Sequence, residues 1–487
     1  MNYRSVLAPV LAPALASALA LALLLAMPAV AGAAPGLSGD ACHLPGYSQP
    51  LRCISVPVPL DYAKPDGQKI ALHVTLAPAF REAARADPLF VLAGGPGQAG
   101  SDILPLLDNT FRRVRATRDI VFIDQRGTGR SGKLDCDSTR AIDSLPEAEQ
   151  EAILAMCLKS LKAPFAAYTT DHAARDLEQV RLALAYRHIN IWGASYGTRL
   201  GQAYARRFPE SLRAMVLDGV AAPEQIIFAW GQDSQASLDA VFQRCADDRG
   251  CRSAFPDLRG QFASLLARAK AGQVSLDFRH PRTAIQTRLQ LPPDAFLQTV
   301  RASLYSLQSG SRLPFIIDSA HRGNWAPFLV QMLAPGDFSI GGTAAGLMLA
   351  VTCAEDIPRL TPAIVAEEEK SSFLGGAEVK RFPAYCRYVN VPAVPYVAPT
   401  LIKTPTLLLS GALDPVTPPR RAVSAAASMS RSQHVVVANL GHGVSFFGCG
   451  ARLLRQFLDA PEQTLDAACL HKIPAPGFQL GAAGPQP

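Results

Sequence analysis
Compact apolar runs recur along the first half of the chain and return near its end. Pro88 to Ala93 reads PLFVLA, Asp119 to Asp124 DIVFID, His188 to Trp192 HINIW and Arg213 to Asp218 RAMVLD. Thr404 to Ser410 (TPTLLLS) and Gln433 to Ala438 (QHVVVA) resume the rhythm. Runs of this length without polar alternation suit strands buried on both faces. Pro146 to Ser160 and Thr170 to Ala185 lie between them with helical spacing. The alternation predicts an α/β fold: a mostly parallel sheet with helices on both faces. Arg52 to Leu60 and Lys69 to Leu76 read as two strands that open the sheet.

The rhythm changes after Pro223. From there to Thr400 the pattern is mainly helical, with Ala236–Cys245, Leu258–Ala271 and Pro293–Leu307 as the clearest helices. The Pro-rich stretch Val391 to Pro399 closes the region as a linker. The expected organisation is a signal peptide over 1–34, a first core segment over 35–222, a mainly helical cap over 223–400 that selects substrate, and a second core segment over 401–487.

Arg4, the apolar stretch Leu11 to Val30 and the small residues around Ala31 and Ala33 have the pattern of a secretory leader. Pro13 and Pro28 and the many alanines argue against an uncleaved membrane anchor. The chain holds 10 cysteines, an even number that in an exported protein implies disulfides. Spacing suggests neighbours pair: Cys42–Cys53, Cys136–Cys157, Cys245–Cys251, Cys353–Cys386 and Cys449–Cys469, although sequence alone leaves connectivity open. No C-x-x-C or H-E-x-x-H occurs, so no metal is expected. The net charge of +7 is spread over 487 residues without a dense basic run, which excludes nucleic acid as the expected partner.

Chemistry concentrates where strands end. Gly193-Ala194-Ser195-Tyr196-Gly197 is G-x-S-x-G between a strand and a helix. There a sharp turn lifts the serine hydroxyl above the sheet. Asp414 follows the LLLS strand and His442 follows the VVVA strand. In that setting Ser195 is the expected nucleophile, His442 the base and Asp414 the group that orients it. Asp218 also ends a strand and is the competing acid, whereas Asp124 and Arg126 read as structural. Gly94-Gly95-Pro96-Gly97 follows PLFVLA, and backbone N–H groups of Gly95 and Tyr196 are the expected oxyanion donors.

GGPG at 94–97, Asp124-Gln125-Arg126-Gly127-Thr128-Gly129-Arg130-Ser131 and GASYGT at 193–198 resemble the proline iminopeptidase branch of the α/β hydrolases. The cysteine-rich build and segment 401–470 resemble exported tripeptidyl aminopeptidases more closely. The family's oxyanion loop often begins with His, and here that position is Ala93. The resemblance implies a serine exopeptidase that needs no cofactor and acts on peptide N-termini. An aminopeptidase must hold an ammonium group at a fixed distance from its serine. Glu355, then Asp356, then Glu224 are the candidate anchors. An exported esterase or lipid hydrolase with the same triad, with a small acyl substrate in place of a peptide, is the first alternative. A non-catalytic binding protein on the same fold is the second.

Overall fold
The structure is a computed structural model that describes residue 37 and residues 39–135, 147–279, 284–333 and 342–484. In chain order the strands are β1 (Asp40–Cys42), β2 (Leu51–Pro59), β3 (Lys69–Ala77), β4 (Leu89–Leu92), β5 (Ile120–Ile123), β6 (Ile189–Ala194) and β7 (Leu212–Asp218). They continue as β8 (Ser275–Arg279), β9 (Gln286–Gln290), β10 (Thr406–Gly411) and β11 (Ser432–Val437). One sheet of nine strands runs β1-β2-β3-β5-β4-β6-β7-β10-β11. From β5 to β11 every pairing is parallel, whereas β1, β2, β3 and β5 pair antiparallel. The α/β layering expected from the apolar runs is therefore present.

Residue period explains why those runs are apolar throughout. Phe90, Leu92, Val121, Ile123, Ile191, Met215, Leu217 and Leu408 point to one face. Their alternates Leu89, Val91, Phe122, Trp192, Val216, Leu407 and Leu409 point to the other. Helices Thr170–Ala183 and Tyr196–Arg207 cover the first face through Ala173, Leu177, Val180, Leu200 and Tyr204. Phe111 and Val114, with Leu453, Leu454 and Phe457 of the helix Gly450–Asp459, cover the second. With both faces buried, no alternate residue can be polar without a partner.

Residues between β7 and β10 run mainly as helices and carry a core of their own, built from Phe242, Phe262, Phe296, Phe328 and their neighbours. The hairpin β8–β9 in this region departs from the helical expectation. SLDFR and QTRLQ keep only one face buried, through Leu276 and Leu289, and the sparse apolar alternation gives a weak strand signal.

Disulfides join Cys42–Cys53, Cys245–Cys251, Cys353–Cys386 and Cys449–Cys469, which are neighbour pairs in sequence. Cys157 is disulfide-bonded, and Cys136 lies outside the described residues. The leader over 1–34 also lies outside them. Cys353–Cys386 spans a sequence separation of 33 and ties the helix Ala345–Glu355 to the helix Ala377–Val389. By loop entropy this bridge contributes about 3–4 kcal/mol. Replacing both cysteines with alanine is expected to lower the free energy of unfolding by about that amount in urea titration. An unchanged midpoint and slope would contradict the loop-entropy account of this bridge.

Candidate active site
The parallel strands place two loops at one end of the sheet. β4 has β5 on one side and β6 on the other, so chain direction of travel reverses at β4. Open α/β sheets bind ligands in the crevice that such a reversal leaves at the strand ends. The loop after β4 is Gly94–Gly97, and β6 runs straight into Ser195.

Ser195 has φ 55 and ψ −122, a left-handed backbone that costs a non-glycine residue roughly 1–3 kcal/mol. Three hydrogen bonds hold it there. The Ser195 N–H donates to the Asp218 carbonyl at 3.0 Å, while the Thr198 N–H and hydroxyl donate to the Ser195 carbonyl at 2.9 and 2.6 Å. The flanking glycines are a steric necessity. A Cβ on Gly193 would lie 2.5 Å from the Gly197 carbonyl oxygen, and one on Gly197 would lie 2.3 Å from that of Leu92. Tyr196 opens the helix, so its N–H has no acceptor one turn earlier and lies at the positive end of the helix dipole.

The Gly94–Gly97 loop packs directly on the serine: a Cβ on Gly94 would stand 3.2 Å from Ser195 Cβ. Gly95 has φ +107, which favours glycine, and it is exposed. The Gly94 N–H donates to Gln98 Oε1 at 3.1 Å, which leaves Gly95 as the loop's exposed donor position.

Asp414 and His442 come together on the loops after β10 and β11. Asp414 Oδ2 lies 2.8 Å from His442 Nδ1. The carboxylate is buried and fully used: Oδ1 accepts from the N–H groups of Val416 and Thr417 at 2.9 and 2.8 Å, and Oδ2 accepts the Thr417 hydroxyl at 2.7 Å. Burial opposes its charge, yet His442 and these donors overcome that and hold the carboxyl below the ordinary range. Thr417 Oγ1 also lies 3.0 Å from His442 Nδ1. The His442 N–H donates to the Tyr305 carbonyl at 2.7 Å, and the Tyr305 ring stands edge-on to the imidazole at 5.2 Å. Thr417 and Tyr305 were not among the residues that sequence singles out. Thr417 lies three residues past Asp414 and could be read as an Asx-turn partner, whereas Tyr305 has no local signal.

Asp218 takes a different place from the one a competing acid would need. Its Oδ1 accepts the Val444 N–H and its Oδ2 the Ser445 N–H, both at 2.8 Å. It holds the loop just past His442 and leaves the imidazole to Asp414. Asp124 and Arg126 are structural, as their turn suggests. Asp124 accepts the N–H groups of Ser101 and Arg130, each at 2.8 Å, and Arg126 forks onto buried Asp176.

Each candidate anchor carboxylate has a protein partner. Asp356 is buried and meets Arg199 Nη1 with both oxygens at 3.0 Å, and Arg359 Nη2 at 2.6 Å. Both of its oxygens are engaged by guanidinium groups. Glu224 is exposed and accepts the Ser424 hydroxyl at 2.7 Å. Glu355 accepts from the Thr170 N–H and hydroxyl, each at 2.7 Å.

A family model described as alpha/beta hydrolase fold matches residues 87–448. Serine protease Hip1 of Mycobacterium tuberculosis is 28% identical over 452 residues, covering 79% of this chain and 82% of the relative. Tripeptidyl aminopeptidase of Streptomyces lividans is 31% identical over 196 residues, covering 36% of each chain.

The electrostatics of His442 give a pH signature. Burial disfavours the imidazolium, but the carboxylates of Asp414 and Asp218 outweigh it and raise the histidine above its ordinary value. A histidine that serves as general base must be neutral, so with His442 in that role activity is lost as pH falls through the raised value. The acid limb of kcat/KM is expected above about pH 6.5. Asp218→Asn removes one of the two negative charges and is expected to move the limb to lower pH. A wild-type limb at or below the ordinary histidine value would contradict this account.

Proposed function
This chain belongs to the α/β-hydrolase fold family, and from that premise we propose that it is an exported serine peptidase that removes short units from peptide N-termini. The observation that carries the reading is the Asp414–His442 contact of 2.8 Å, on the same end of the sheet as the strained Ser195. Ser195 Oγ attacks the scissile carbonyl while His442 Nε2 takes its proton. Asp414, bonded to Nδ1, fixes the tautomer and stabilises the imidazolium as it forms. Negative charge on the carbonyl oxygen falls to the N–H groups of Gly95 and Tyr196. His442 returns the proton to the leaving amine, and a water activated by the same imidazole releases the acyl-enzyme.

Peptide preference draws support from the two relatives, one named a serine protease and the other a tripeptidyl aminopeptidase. Export is supported by the leader-like N-terminus and by the disulfides, which persist in oxidising compartments. Among the described residues no helix is long and apolar enough to cross a membrane. Residues 223–400 are read as the cap that selects the substrate, since Tyr305 from this region packs on His442.

A fluorophosphonate probe and a panel of amino-free dipeptide and tripeptide substrates beside simple esters test the reading. Ser195 is expected to take the label, and Ser195→Ala to lose kcat on the order of 10⁶-fold. Robust ester cleavage without peptide cleavage would instead favour an esterase. Absence of label on Ser195 would favour a binding protein.

A further inference from the structure
The helix Ala345–Glu355 touches both sides of the catalytic serine. At its N-terminal end the Ala344 N–H donates to the Gly97 carbonyl at 3.0 Å, and a Cβ on Gly97 would lie 2.9 Å from the Ala344 carbonyl oxygen. That end therefore lies directly against the loop that carries Gly95. At the other end Glu355 reaches Thr170, and Thr170 Oγ1 is 2.9 Å from the Tyr196 hydroxyl. With Glu355 ionised, hydrogen counting sets the direction of this chain. Thr170 has one hydroxyl hydrogen, and the Glu355 carboxylate takes it at 2.7 Å. The Tyr196 hydroxyl must then donate to Thr170 Oγ1.

We propose that this helix is a clamp on the oxyanion site, and that Glu355 is a positioning residue acting through Thr170 on Tyr196. The inference rests on the serine-hydrolase reading, in which Gly95 and Tyr196 supply the two oxyanion donors. The gap between those donors is set by two chain segments about a hundred residues apart in sequence, Gly94–Gly97 and Ser195–Tyr196. Direct packing of Gly94 on Ser195 sets part of it, and the helix Ala345–Glu355 adds a tie to the first segment at its start, through Ala344 and Gly97, and to the second at its end, through Thr170. Tyr196 is 3% exposed and belongs to a buried cluster that includes Phe165, Leu347 and Val351, so the side chain is confined. The next residue repeats the attachment: Asp356 pairs with Arg199 on the same helix as Tyr196. Each Glu355 oxygen accepts one hydrogen from Thr170, which gives the carboxylate a structural partner on this path.

Anchoring and positioning separate in kinetics. Glu355→Gln, Thr170→Val and Tyr196→Phe are compared with wild type on an amino-free peptide, its N-acetylated form and a simple ester. Clamp loss is expected to lower kcat by roughly 10- to 100-fold on every substrate, with KM within about twofold, because a misplaced donor weakens only the transition state. Phosphonylation of Ser195 is expected to slow in parallel. Tyr196→Phe keeps the ring and the N–H and loses one oxygen atom, so it remains informative if Glu355→Gln fails to fold. The Tyr196→Phe/Glu355→Gln double variant is expected to be no slower than the slower single variant, since both cut one path. A Glu355→Gln enzyme whose KM rises only for the amino-free peptide overturns the proposal in favour of an amine anchor. Tyr196→Phe at wild-type rates overturns it as well. Wild type that fluorophosphonate does not label overturns the hydrolase reading together with this one, whereas labelled wild type with unaltered variants overturns this one alone.

Discussion

The backbone of Ser195 is the constraint on which the rest of the structure depends. A side chain at φ 55 is disfavoured, and three hydrogen bonds from Asp218 and Thr198 offset that cost. The same geometry brings strand β6 so close to the helix Tyr196–Arg207 that Gly193 admits no Cβ, and brings that helix so close to the end of β4 that Gly197 admits none either. In return the serine hydroxyl leaves the plane of the sheet and the first helical N–H groups face the same crevice. The sheet order supplies the other half, because reversal at β4 brings Gly94–Gly97 against Ser195.

Two buried carboxylates stand near the imidazole, and geometry divides their work. Asp414 follows β10 and meets Nδ1 directly, whereas Asp218 ends β7 and holds the N–H groups of Val444 and Ser445. Both are acidic residues at the carboxyl ends of neighbouring strands, since β7 and β10 pair in parallel. Either could have oriented the histidine. What decides is that the Asp414 loop curls back on itself, with Val416 and Thr417 donating to the carboxylate and fixing its free edge toward His442. Asp218 is instead consumed by the loop that follows the histidine. One carboxylate thus sets the tautomer and the other sets where the ring sits.

Legibility in the sequence followed the range of the forces involved. The elbow at 193–197, the glycine loop at 94–97 and the parallel strands could be read because each is dictated by neighbours within a few residues: sterics of a tight turn, or period-two burial on both faces. Glu355 shows where this stops. A charged residue in a helical insertion reads as an open carboxylate that could meet an ammonium. Its partner Thr170 lies 185 residues away in sequence, and only the folded chain reveals that each oxygen accepts a hydrogen from it. Tyr305 is illegible for the same reason, since it meets His442 through a backbone carbonyl that any residue would supply. The hairpin β8–β9 was hidden differently: its strands keep one exposed face and sit among helices, so their alternation is diluted by polar residues.

The manner in which residues 223–400 attach to the site bears on how such an enzyme can change substrate without losing its chemistry. Two of the attachments are made by main-chain atoms, the Tyr305 carbonyl to the His442 N–H and the Ala344 N–H to the Gly97 carbonyl. Main-chain contacts survive replacement of the side chain that bears them, so the residues at 305 and 344 can alter the pocket while the loops stay in register. Two others, Glu355 to Thr170 and Asp356 to Arg199, are made by side chains and are buried or nearly so, and side chains of Gln225, Ser234 and Ser237 donate to carbonyls of the Asp414 loop. Loss of Asp356 leaves the buried Arg199 guanidinium without its ion-pair partner, which is destabilising. The helical core around Phe262, Phe296 and Phe328 forms a hydrophobic cluster distinct from those of the sheet, and none of its residues belongs to these attachments. Substitutions in that cluster reach the site through the elements that carry Tyr305, Ser234 and Ser237, whereas substitutions at Glu355 or Asp356 act on the helices that carry Thr170 and Arg199.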